Sequence, residues 1–169
     1  MPKQKTPVKI LAIDPGTRYW GIAVFEGEKI KISMVKVLTA NHSPANRLKE
    51  AREVFYSLVE DYSPDVFVME KPFFFWSKQA HFLDTLVDEI KDMARKKKIS
   101  FHEYSPRTVR KVVCGNGNAS KKDMAKFLTL IYPELVFRFN QGKRYKDLYW
   151  GHMFDAVGLG LCYLAKAEE

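Results

Sequence analysis

A chain of 169 residues is the length of one compact domain and too short for two substantial ones. Its two cysteines, Cys114 and Cys162, stand far apart without ligand spacing, which argues against a disulfide framework and a structural zinc site and reads as two buried thiols. The formal net charge of +8 favours a polyanionic partner, because neutralising phosphates releases counterions, although charge alone names no partner.

Residues 1–7 are a short, polar, lysine-bearing stretch read as a flexible tail, and no apolar core of signal-peptide type follows it. No apolar run is long enough to span a bilayer, so a cytoplasmic protein without membrane contact is expected, with residues 8–169 as its one domain. Residues 8–13 are an apolar run of strand length, stopped by the turn-forming Asp14-Pro15-Gly16. Residues 21–25 read as a second strand, 26–29 as a hairpin turn and 30–38 as a third strand. Ser43 followed by Pro44 is an N-cap with proline at the first helical position, and Leu48, Ala51, Phe55 and Leu58 then recur at helical spacing. Pro64-Asp65 breaks the chain before a short apolar strand, 66–69, that ends at Glu70. Residues 77–97 place Ala80, Leu83, Leu86, Ile90 and Ala94 on one helical face. A strand near 99–104, a helical turn from Ser105-Pro106 and a glycine-containing loop, 115–118, follow. Ser120 with Asp123 resembles a capping box that opens a helix towards Ile131. Residues 138–146 read as a polar basic loop, and a last helix runs from about Leu148 to Lys166. Three antiparallel strands followed by alternating helices and strands predict an α/β fold, a central five-stranded mixed sheet flanked by helices.

Asp14 and Glu70 each end an apolar strand. Parallel pairing would bring both to one sheet edge, where loops leave room for ligands. Two acids meeting there repel unless a cation holds them, so a divalent metal is expected. Taken singly, each acid is equally well explained as an ordinary turn residue. His152 and Asp155 are three apart, share a helix face and lie near the helix start, where they can project from the same edge. Alone, that spacing also describes a surface pair.

The combination is more specific than its parts. Residues 10–18, running Ile-Leu-Ala-Ile-Asp-Pro-Gly-Thr-Arg, with Gly21 behind them, resemble the first motif of the RuvC-type Holliday junction resolvases, a family of the ribonuclease H-like superfamily. Pro64-Asp65 through Glu70-Lys71-Pro72-Phe73 is similar to the second motif. Arg107, Val109, Arg110 and residues 115–121 resemble the basic segment, and residues 152–156 the C-terminal acidic motif. The resemblance implies a homodimeric endonuclease that binds four-way DNA junctions and nicks two opposed strands symmetrically. It implies two Mg²⁺ ions per active site, with Mn²⁺ able to substitute, held by Asp14, Glu70 and Asp155. Asp14, leaving the central strand, is expected to bridge the ions, Glu70 to serve one of them, and Asp155 with His152 the other. His152 stands where many members carry a further Asp, so it brings a metal- or proton-handling imidazole without a negative charge.

By the same resemblance Lys121 is expected beside the reacting phosphate, and Arg110 falls where another functional lysine usually lies. Phe73, with Phe74 beside it, matches an aromatic that stacks on a base exposed at the junction centre; a core cluster or a dimer contact would also explain residues 73–76. Arg107, Arg110, Lys111, Lys121, Lys122, Lys143, Arg144 and Lys146 are candidate phosphate contacts, which position DNA without reading its sequence. Ala80, Leu83, Leu86 and Ile90 fit either a dimer seam or a core-facing stripe. Three other readings stay open: a non-catalytic junction-binding protein of the same fold, an actin-like phosphate-binding ATPase or kinase fragment suggested by the Asp-Pro-Gly-Thr turn, and a broader nuclease of the same fold acting on related branched DNA or RNA–DNA hybrids.

Overall fold

A computed structural model describes residues 6–39, 43–71, 78–145 and 148–168, with the backbone alone at 78–80, 142–145 and 148. Strands β1 (Lys9–Asp14), β2 (Tyr19–Glu26) and β3 (Lys29–Val37) form an antiparallel meander. β4 (Val66–Glu70) and β5 (Ser100–Tyr104) add to it in parallel, giving one five-stranded sheet in the order β3-β2-β1-β4-β5. The expected mixed sheet is therefore present, with β1 at its centre. Gly27, at φ 59, turns the β2–β3 hairpin in the left-handed region that costs glycine least.

The two faces are covered by different helices. Leu11, Ile13, Ile22, Phe67 and Met69 point to a core closed by α1 (Pro44–Tyr62) and α2 (Lys78–Lys96). Ile10, Ala12, Ala23, Val66 and Val68 point to a second core, closed by α3 (Pro106–Cys114), α4 (Lys121–Ile131) and α6 (Leu148–Ala167). The strict alternation follows from the two-residue period of a strand. Ser43 caps α1 by accepting from the Asn46 N–H, and Ser120 and Asp123 form both halves of the capping box on α4.

Two expectations change, and one open alternative is decided for two of its residues. The stretch read as a basic loop is a helix, α5 (Val136–Tyr145), entered through a 3₁₀ turn at Pro133–Leu135. Its Arg, Gln and Lys residues are good helix formers, and Phe139 packs edge-on against Phe154 of α6, their ring centres 6.2 Å apart. The turn opened by Ser105-Pro106 is a full helix of 9 residues. Leu86 and Ile90 are completely buried under the sheet of their own chain, so they are spent on the core and cannot form a dimer seam. No helix among the described residues is long and apolar enough to cross a membrane.

Candidate active site

Strand parity aims the two strand-end acids. Asp14 follows Ile10 and Ala12 in step two, and Glu70 follows Val66 and Val68, so both point to the face that α6 covers. The parallel register pairs Ile13 with Met69, so β1 and β4 end side by side and the two carboxyls leave the same edge. Asp14 is 7% exposed, a buried acid at the centre of the sheet.

α6 brings the other pair. It lies against β1 and β2 because the strand residues beneath it are small: Ala12, Gly21 and Ala23. A Cβ on Gly21 would fall on the backbone carbonyl of His152, so only glycine lets the helix approach this closely. Gly160 plays the same part from the helix side, where a Cβ would run into the Phe25 ring. With the helix seated, His152 Nδ1 lies 2.8 Å from Asp14 Oδ2, and Asp155, 6% exposed, turns into the same space. With its proton on Nδ1 the imidazole donates to Asp14 and leaves the Nε2 lone pair free. Tyr19 stands beside the His152 ring at 6.0 Å, with Tyr149 edge-on behind it at 5.8 Å. The sequence reading missed these two tyrosines; the parity that puts Gly21 under α6 puts Tyr19 there as well.

The cations arrive from α3 and α4. Lys121, first residue of α4, donates from Nζ to Asp155 Oδ2 at 2.7 Å. Burial pulls its ammonium down, but the Asp155 pair, with Asp14 and Glu70 beyond, more than offsets that and holds Lys121 above its ordinary range. Burial raises Asp155, and the Asp14 charge adds to this, while Lys121 and His152 oppose it. Glu70 is pushed up to about 8, first by burial and then by Asp14 and Asp155, with Lys121 and Arg110 pulling the other way. Three carboxylates, an imidazole and two cations therefore share one edge of the sheet.

As arranged, no three His, Cys, Asp or Glu side chains among the described residues are set to hold a metal ion, and Lys121 occupies one oxygen of Asp155. The donor set nevertheless suits a hard divalent cation: three carboxylate groups, with Glu70 lifted first by burial and then by the charges of Asp14 and Asp155, are the groups such an ion would relieve. Among the remaining candidates, Arg107, Lys111 and Lys122 are exposed on α3 and α4. Phe73, Phe74 and Lys146 lie outside the described residues, as do the side chains of Lys143 and Arg144.

Residues 10–134 match the family model described as crossover junction endodeoxyribonuclease RuvC. That match ends before α6, the helix whose geometry brings His152 and Asp155 to the same edge. The RuvC of Christiangramia forsetii is 30% identical over 159 residues, covering 91% of this chain and 78% of that one. The RuvC of Cytophaga hutchinsonii is 31% identical over 159 residues, with 91% and 74% covered. The fold is that of Thermus thermophilus RuvC solved with a Holliday junction substrate, at TM-score 0.75 and 18% identity over 95% of this chain and 94% of that one. The yeast mitochondrial Holliday junction resolvase superposes at TM-score 0.69 and 16% identity, covering 95% and 79%. With its sheet order, its edge of acids and a family match over most of its length, the chain belongs to the RuvC family of crossover junction endodeoxyribonucleases.

Proposed function

We propose that this protein cuts four-way DNA junctions by hydrolysing phosphodiester bonds, acting as a homodimer that nicks two opposed strands, with Mg²⁺ as its cofactor. The observation that carries this reading is the meeting of Asp14, Glu70, His152 and Asp155 with Lys121 and Arg110 at one sheet edge. Asp14, Glu70, Asp155 and His152 would hold the metal, two ions per site, and Mn²⁺ could replace Mg²⁺. When bound, such ions supply an activated water and a Lewis acid for the leaving oxygen.

The chain's own groups do the rest. Lys121 is fixed by the capped start of α4 and by Asp155, and its ammonium stabilises negative charge growing on the phosphoryl oxygens. His152 orients Asp14 through Nδ1, which leaves the Nε2 lone pair as the atom it would offer to a metal ion. Arg110, close enough to Glu70 to lower its pKa, anchors the phosphate beside the reacting one.

Replacing Asp14 with Asn keeps the shape of this side chain and removes its charge. On a synthetic four-way junction with Mg²⁺, D14N is expected to lose cutting by about a thousandfold or more while binding the junction nearly as well as the parent. Cutting by D14N at the parent rate would overturn the assignment. A junction bound but never cut by the parent protein would instead favour the non-catalytic reading.

A further inference from the structure

Beyond the acidic edge, α3 and the last turn of α6 enclose an open groove of about 650 Å³, lined by Ser105, Arg107, Thr108, Lys111, Val112 and Lys166 among others. Three of those side chains are cationic, and among the described residues no acid lines the groove and none of the three has an ion-pair partner. Unpaired like charges held on packed helices repel each other, and a polyanion relieves that repulsion.

The groove is built rather than incidental. Ser105 caps α3, its Oγ accepting from the Thr108 N–H at 3.1 Å and lying 2.9 Å from the Thr108 hydroxyl. The 115–118 loop passes directly beneath Arg107: a Cβ on Gly117 would come within 2.9 Å of the Arg107 Cγ, so the glycine lets the loop brace the arginine stem. Arg107 and Lys111, four apart, line the groove, whereas Arg110 on the same helix is felt by Glu70 at the acidic edge. One short helix thus serves two stations.

We propose that this groove is a second phosphate-binding station, which grips the sugar-phosphate backbone of a DNA arm leaving the cleavage site, with Lys166 as its outermost contact. The proposal rests on the junction-cutting reading above. Its spacing is set by α6. From Asp155 to Lys166 the helix climbs about 16 Å, roughly five nucleotide steps of duplex. A phosphate about five to seven nucleotides from the cut therefore reaches the groove, allowing for the length of the lysine side chain.

Four-way junctions carrying one neutral methylphosphonate linkage, walked outward along each arm from the cut, test this with the full-length protein. With the parent, the linkage about five to seven nucleotides out is expected to weaken binding about three- to tenfold. With Lys166→Gln that same linkage is expected to add nothing, and the salt dependence of binding should fall by about one unit of slope. Lys166→Arg keeps the charge and is expected to restore the parent profile. Identical profiles for the parent and K166Q, or an equal K166Q loss at every linkage, would overturn the groove. Cutting of the unmodified junction with Mg²⁺ is scored in parallel, so an uncut junction counts against the function and a featureless walk with normal cutting counts against the groove alone.

Discussion

The two faces of the sheet are packed by different rules. Beneath α1 and α2 the sheet offers large side chains, and Phe55 meets Phe67 edge-on with ring centres 5.2 Å apart. Beneath α6 it offers Ala12, Gly21 and Ala23, and the helix answers with Gly160, while Gly158 makes room for Val109 and Met124 of α3 and α4. Bulk on the first face contributes stability, since each buried aromatic removes a large apolar area from water. Smallness on the second face contributes position: it lets a helix backbone lie against a strand so that His152 reaches Asp14. One face holds the sheet together, and the other aims the acids.

Substitutions on opposite faces should separate these roles. Phe55→Ala empties a fully buried site and is expected to cost about 3–5 kcal/mol in urea unfolding, while the folded fraction cuts junctions as before. Gly21→Ala is expected to cost about 1–3 kcal/mol, a smaller sum, and yet to lower cutting by the folded fraction at least tenfold, because α6 must move to clear the new methyl. Equal losses of activity per folded molecule would erase the distinction between the faces.

A smaller effect sharpens it at the edge itself. Glu70 sits at about 8 when folded against an ordinary 4.5, so in chelator the folded protein holds this proton over a range where the unfolded chain has released it. Stability from this group is complete below about 4.5 and is lost as pH climbs through about 8. Glu70→Gln removes that titration. In EDTA its melting temperature should match the parent near pH 4.5 and exceed it by a few °C, about 1–2 kcal/mol, by pH 9. A gap that stays constant with pH would show that burial and the neighbouring acids do not hold the Glu70 proton. The smallest effect is expected from Ser120→Ala, which removes half of the α4 cap for about 1 kcal/mol or less in thermal melts. Because Lys121 is the next residue, cutting should fall alongside, by about two- to fivefold.

Much of this architecture was legible because strands and caps announce themselves locally. Residues 8–13 have no helical reading once Pro15 and Gly16 stop them, and Ser43-Pro44 and Ser120 with Asp123 mark helix starts within four residues. The acids were legible for the same reason, each standing at the last position of an apolar run. What the local pattern hid was decided by partners distant in sequence. α5 reads as a basic loop until Phe139 finds Phe154, and the α2 stripe is ambiguous until Leu86 and Ile90 are seen under the sheet. Spacing suggests a basic segment around Arg107, but only the tertiary fold brings Lys166 to it from the far end of the chain.

The bond between Lys121 and Asp155 is lopsided: the lysine side chain is 65% exposed and the aspartate 7%. Deleting the acid releases a lysine that water readily solvates. Deleting the lysine strands a carboxylate indoors, with Asp14 close by and less to balance it. An inert Lys121 variant would therefore mix a chemical loss with a structural one. Comparing urea unfolding of Lys121→Met with that of Lys121→Met/Asp155→Asn, which leaves neither charge unpaired, isolates the structural part.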